Sequence, residues 1–198
     1  MNQIESWQSV VSVILPHPSR PQILVCHEDE RWVLPHTQIA QEWVTPISQI
    51  NVEMQRLYGL HTTVLRQIDN RQDTSARRVY ATHLLELHKP PKLLPTTLRW
   101  MRLDEVNGLT FADPQQQAAV VACLGEIETG TIPRLRVPWA LPGWQANTEQ
   151  WIRSQLYQLG NPAIGPLEQI KIWFLSCVLR LPTARGYVYF KVTNASAL

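Results

Sequence analysis

The breaker-dense stretch 129–142 restricts this chain more than any other feature. Gly130, Pro133, Pro138 and Pro142 all fall within it. Proline fixes φ and removes a backbone donor, so neither a helix nor an inner strand crosses such spacing. The sequence therefore divides into a first part, 1–128, a linker, 129–142, and a second part, 143–198. With 198 residues, 44% of them hydrophobic, the first part has enough apolar side chain for a core of its own. The halves also differ in charge. Residues 1–128 hold 11 Lys and Arg against 14 Asp and Glu, whereas residues 129–198 hold 7 against 2. The basic half contains no run of Lys or Arg, so no nucleic-acid partner is expected.

Within the first part, the β-branched and apolar runs 10–15 and 23–26 flank Pro16, Pro18 and Pro21, which predicts a hairpin. Residues 31–34 form a short apolar element ended by Pro35. Thr45 and Pro46 mark a helix start, and Ile47, Ile50, Met54 and Leu57 recur at helical spacing up to Gly59. This predicts a helix over 45–58 with Leu57 on its buried stripe. Strands are predicted at 61–68 and 77–88 around a polar turn at 69–73. An apolar segment follows at 98–103, and Asp113-Pro114 caps a helix to about residue 126. Beyond the linker, Asn147 predicts a helix to residue 159, striped by Trp151, Ile152, Gln155, Leu156 and Leu159. Strands at 167–172, 173–181 and 187–192 complete the reading.

No apolar run approaches the roughly 20 residues of a membrane helix. The N-terminus lacks the basic-then-apolar layout of a signal peptide. Cys26, Cys123 and Cys177 are odd in number and in no zinc or disulfide spacing, which predicts a reducing, cytoplasmic setting without a membrane.

The element order of the first part is that of an α/β/α sandwich. Trp32-Val33-Leu34-Pro35, Thr45-Pro46 and Glu53-Met54-Gln55-Arg56-Leu57-Tyr58-Gly59-Leu60 resemble the signature region of Nudix hydrolases, over about residues 8–127. The resemblance implies a Nudix-type α/β fold with a mixed sheet. It also implies magnesium- or manganese-dependent cleavage of nucleoside diphosphates linked to another group. The family motif reads G-x5-E-x7-R-E-U-x-E-E-x-G-U, with U aliphatic. Carboxylates at i, i+3 and i+4 share a helix face, and a hard cation needs several such oxygens.

Set on that motif from Gly59-Leu60, the chain keeps Glu53. The motif arginine falls on Val52, the next two glutamates on Arg56 and Leu57, and the glycine pair on His36-Thr37. The earlier glutamate falls near Trp43 or Val44, with Glu42 close by. A cation and an aliphatic group stand where metal ligands belong. The resemblance thus implies a degenerate Nudix domain, a pseudoenzyme that binds a nucleotide-like ligand or regulates. No metal or cofactor is assigned, and Glu53 is the residual catalytic-type glutamate. Arg56 is either a phosphate contact or an ordinary exposed arginine, and Glu53, Glu42 and Lys191 complete the binding candidates. Two alternatives stay open. One is a divergent active hydrolase taking magnesium on Glu42 or the Glu28-Asp29-Glu30 cluster. The other is a structural interaction module whose pocket is closed by Leu57 and Trp43.

In the second part, Pro138-Trp139-Ala140-Leu141-Pro142-Gly143-Trp144, the helix with Trp151, Ser176-Cys177-Val178-Leu179-Arg180-Leu181-Pro182 and Val188-Tyr189-Phe190-Lys191-Val192 resemble the opening of an aminoglycoside phosphotransferase-type kinase. In such kinases a lysine on the third strand holds the nucleotide's α- and β-phosphates, and Lys191 matches that position. An edge-strand lysine that blunts pairing is the competing reading. No partner glutamate or catalytic loop follows Lys191. The expectation is therefore the front of a longer protein, with a downstream kinase portion as partner. Such a partial lobe leaves Trp173, Phe174 and Phe190 to pack on the first part or on a second copy in a homodimer.

Overall fold

The computed structural model describes residues 7–40 and 47–194. The predicted helix start at Thr45 and Pro46, and with it Glu42, Trp43 and Val44, lies outside the described residues.

Continuous apolar runs become strands here because both of their faces are covered. In β1 (Gln8–Ile14) and β2 (Ile23–Glu28), Val11, Val13, Ile14, Ile23, Leu24 and Val25 expose no surface. The two strands do not form the predicted hairpin. Strand β1 pairs antiparallel with β4 (His36–Ala40) and parallel with β6 (Arg78–Leu87), and β6 pairs antiparallel with β5 (Thr62–Asp73). This is a mixed sheet of order β4-β1-β6-β5. Strand β2 instead lies between β3 (Arg31–Val33) and β7 (Leu98–Met101). Only an isolated bridge, Pro16 to Ile23, joins the ends of β1 and β2, since proline has no N–H with which to continue a ladder.

Helix α1 (Ile47–Tyr58) covers one side of these sheets, and α2 (Leu103–Asn107) with α3 (Pro114–Thr129) covers the other. The period of two in β2 displays the layering. Leu24 and Cys26 pack with Ile50 and Met54 of α1, whereas Ile23 and Val25 pack with Val120, Cys123 and Leu124 of α3. Asp113 caps α3 as expected, accepting the Gln115 N–H at 2.8 Å.

The predicted polar turn at 69–73 is strand. Asp69 to Asp73 pair in continuous register with residues 78–82, beyond two irregularities at 64–66 and 67–69, and the chain reverses at 74–77. Asp73 Oδ1 accepts the Ser75 and Ala76 N–H groups there, and Arg77 takes the left-handed φ of 49°. Because β5 is the edge of its sheet, its end carries polar side chains, and composition alone reads as a turn.

The stretch 129–142 holds a single 3-10 turn, Pro138–Ala140, whose Trp139 and Ala140 are buried with Val137 in a third core. Helix α4 (Trp144–Gln158) starts ahead of the expected Asn147. Its N-cap, Gly143, has no side chain to offer, and Glu86 of β6 takes over by accepting the Gly143 N–H at 2.7 Å. Strands β8 (Glu168–Ile172), β9 (Ser176–Thr183) and β10 (Gly186–Thr193) form an antiparallel sheet in the order β10-β9-β8, packed on Ile152 and Leu156 of α4. Phe190 finds cover within this unit, with its ring 5.8 Å from that of Trp151, whereas Trp173 and Phe174 remain about half exposed.

One buried side chain, Gln169, fastens β8 to the central sheet. Its Nε2 donates to Val64 O at 2.9 Å, and its Oε1 accepts from Val64 N and from Asn51 Nδ2, both at 3.0 Å. The amide thereby stands in for a neighbouring strand at the edge of β5. Among the described residues no helix is long and apolar enough to cross a membrane.

Candidate functional site

From Ile47, a period of 3.6 places Ile50, Met54 and Tyr58 toward the sheet. Ile50 and Met54 are fully buried, and Ile47 and Tyr58 pack beside them. Leu57 falls off this stripe and is 40% exposed, which corrects its predicted burial. The Tyr58 hydroxyl donates to His36 O at 3.0 Å and accepts from His36 N at 3.3 Å, tying the end of α1 to the start of β4.

Glu53 and Arg56 lie one turn apart on the rim of this helix, and the structure brings them together. Arg56 Nη2 donates to Glu53 Oε2 at 2.7 Å, and Nε reaches both carboxylate oxygens at 3.1 and 3.2 Å. Thr37 of β4 donates its hydroxyl to Oε2 at 3.3 Å. The guanidinium, first by hydrogen bonding and then by charge, holds the Glu53 carboxyl below the usual range, with Thr37 adding to the effect. The carboxylate in turn raises the pKa of Arg56. Glu53 is mostly covered by these partners, whereas the Arg56 side chain is 63% exposed.

These donors do not fit a hard divalent cation. Both Glu53 oxygens face a guanidinium, and positions 52 and 57 are exposed aliphatic side chains. Glu28 ends β2, paired with Arg31, and Asp29 and Glu30 form the turn to β3, with φ of 46° and 62°. Glu28 Oε1 accepts from Cys26 Sγ at 3.1 Å, and Oε2 lies 3.8 Å from His36 Nε2. Among the described residues no three His, Cys, Asp or Glu side chains gather as a metal site. Glu42, the remaining candidate, lies outside the described residues.

Lys191 sits apart from this pair. It is exposed on β10, an edge strand, with Tyr187 and Tyr189 on the same face and the more covered Val188, Phe190 and Val192 on the other. Within this C-terminal sheet the strand that packs on α1 is β8, at the opposite edge. The three cysteines are free and buried, and burial pushes their thiols up to about 12, 11 and 12 for Cys26, Cys123 and Cys177. His83 of β6 is buried with no partner for Nδ1, and burial brings its pKa down to about 4, so it is neutral at pH 7.

The sequence did not single out Thr37 or Tyr58, because β4 went unread. Nor did it single out a charged group at the seam between β5, α3 and the 129–142 stretch. There Arg66 and Arg136 share Glu126, and two cavities of about 390 and 520 Å³ adjoin both arginines. Neither cavity is lined by Glu53 or Arg56.

No protein-family model matches the chain, and no curated protein matches it in sequence. Among solved structures it is similar to a NUDIX hydrolase from Nitrosomonas europaea, with 14% identity, a TM-score of 0.49, and coverage of 65% of this chain and 76% of that one. A NUDIX-family hydrolase from Clostridium perfringens is similar at 10% identity and a TM-score of 0.49, over 60% of this chain and 97% of the other. Of a larger protein from Sinorhizobium meliloti 1021, similar at 15% identity and a TM-score of 0.48 over 64% of this chain, the chain spans 41%. The likeness assigns this chain neither substrate nor activity.

Proposed function

We propose that the first part of the chain is a Nudix-like module without hydrolytic machinery, and that it binds a nucleotide-like ligand or regulates the part attached to it. The closed pair of Glu53 and Arg56 carries this reading. Metal-assisted cleavage of a pyrophosphate needs a cation held by several oxygens close to the substrate phosphates. Here the one motif carboxylate that remains is neutralised by a side chain of its own helix, and Thr37 fixes its second contact. The exposed part of the Arg56 guanidinium suits a phosphate better than a metal.

The second part enters the proposal as the opening segment of a phosphotransferase-like lobe. Its support is the antiparallel run β8, β9, β10 behind α4, with Lys191 on the third strand. A downstream kinase portion is the partner this reading requires. The test is a hydrolysis assay with magnesium and with manganese across nucleoside diphosphate derivatives. Turnover of the unaltered chain is expected to equal that of a Glu53→Gln variant. Turnover that Glu53→Gln abolishes would favour the divergent active hydrolase and remove this proposal.

A further inference from the structure

We propose that the seam between β5 and the C-terminal sheet is a binding site for a small aromatic anion, a planar apolar body carrying a carboxylate or a phosphate. The inference is independent of whether the Glu53 site hydrolyses anything.

Charge gives the first reason. Arg136 Nη2 donates to both oxygens of Glu126, at 2.8 and 3.0 Å, and Arg66 Nη2 donates to Oε2 at 3.2 Å. One carboxylate therefore serves two guanidiniums. The Arg66 and Arg136 side chains are only 18% and 14% exposed, and Arg66 Nη1 is buried without a partner. A positive charge withdrawn from water in this way is costly unless a counter-charge joins it. A guanidinium presents planar, forked donors that match a carboxylate or phosphate.

Shape gives the second. The cavity of about 520 Å³ is bordered by these same two arginines and by Trp139, Trp173 and Phe174, and none of its described lining residues is acidic. That volume lies in the range of about 300–1,000 Å³ usual for small-molecule sites. The Trp139 indole N–H is spent on Trp173 O at 2.8 Å, which fixes one aromatic wall against the next. Lys171 Nζ lies 4.0 Å from the centroid of the Trp173 ring and adds a third cation beside that wall. Cationic groups repel a metal ion. An aliphatic acid would leave the aromatic walls unstacked, whereas a flat aromatic acid meets both features at once.

The lining comes from β5, from 133–140 and from 172–174, so the site is complete only while the C-terminal sheet is docked. A ligand seated there would stabilise that docking by mass action.

The experiment is calorimetric titration of the full chain with 1-naphthoate and with AMP, using acetate and 1-naphthalenemethanol as controls. At least one aromatic anion is expected to bind with Kd below about 1 mM, and both controls at least about tenfold more weakly. The tighter of the two anions identifies the head group. Arg136→Gln is expected to weaken binding at least about tenfold. Because that change also strands Glu126, Phe174→Ala serves as a second variant. It alters a side chain 58% exposed, and should weaken binding several-fold while leaving Tm unchanged. The proposal is overturned if neither anion binds by about 5 mM, if either control binds as tightly, or if Phe174→Ala and a folded Arg136→Gln both bind as the unaltered chain does.

Discussion

The central mixed sheet and the C-terminal sheet meet water in opposite ways. The first is sandwiched between α1 and the α2–α3 pair, so β1 and β6 are apolar over most of their length. The second is covered on one side by α4. Its β9 alternates, with Cys177, Leu179 and Leu181 buried and Val178, Arg180 and Pro182 less so. Inside the doubly covered sheet the buried His83 is held in its neutral form, and a charged group such as Arg66 stays on the edge strand β5, paired with Glu126. Where one face is wet, charge is kept and paired. Arg180 binds Glu168 and lies 4.4 Å from the Tyr187 ring on the outer side of the C-terminal sheet. The two sheets are joined at few polar points, and chief among them is Gln169.

That contrast is most exposed to test at the join. Gln169→Leu removes three hydrogen bonds and strands the buried Val64 N–H and C=O, each stranded group costing roughly 1–3 kcal/mol. The expected loss is about 3–4 kcal/mol in urea unfolding. A loss under about 1 kcal/mol would mean that apolar packing between α1 and β8 carries the join alone.

Next in size is the acid limb of stability. The folded chain keeps His83 unprotonated down to about pH 4, whereas an unfolded histidine takes up its proton near the ordinary value of 6.5. Between pH 4 and 6.5 the unfolded state binds more protons, so stability is present above pH 6.5 and falls as pH drops toward 4. The expected loss is about 3 kcal/mol. Denaturant titrations at pH 7 and 4.5 measure it, and His83→Leu should flatten the slope. A slope unchanged in that variant would place the titrating group elsewhere, and would break the claim that burial in the doubly covered sheet keeps His83 neutral.

The same contrast explains what could be read from the sequence. Continuous apolar runs announced β1 and β2, partial alternation through Val79, Ala81, Leu85 and Leu87 announced β6, and the Asp113-Pro114 cap announced α3, because these signals are local. The hairpin reading failed since the partners of β1 are β4 and β6, and nothing in residues 8–28 encodes that choice. The end of β5 was missed because an edge strand wears polar residues. Glu53 and Arg56 were each singled out by the motif on one helix, but their ion pair was not read, and Thr37, which completes their environment, comes from β4. The Arg66, Glu126 and Arg136 group was invisible for a stronger reason. It joins a strand, a helix and an irregular stretch, and no spacing rule connects them.

The smallest effect on stability belongs to the pair on which the proposed function rests. Glu53 and Arg56 lie at the surface, and an exposed ion pair contributes little once both partners are solvated. Arg56→Gln should therefore move the thermal midpoint by less than about 2 °C. Arg56→Glu combined with Leu57→Glu changes two exposed positions and sets carboxylates at i, i+3 and i+4 from Glu53. With the guanidinium gone and three acids on one face, manganese binding in the millimolar range is expected by calorimetry, against none for the unaltered chain. Their mutual repulsion should lower stability slightly without metal and be relieved when the ion binds. If the doubly substituted chain fails to take up manganese, a shortage of carboxylates is not what separates this helix from a metal site. If the unaltered chain already binds it, the closed pair is open in solution, and the contrast between a silent surface pair and an electrostatically loaded seam disappears.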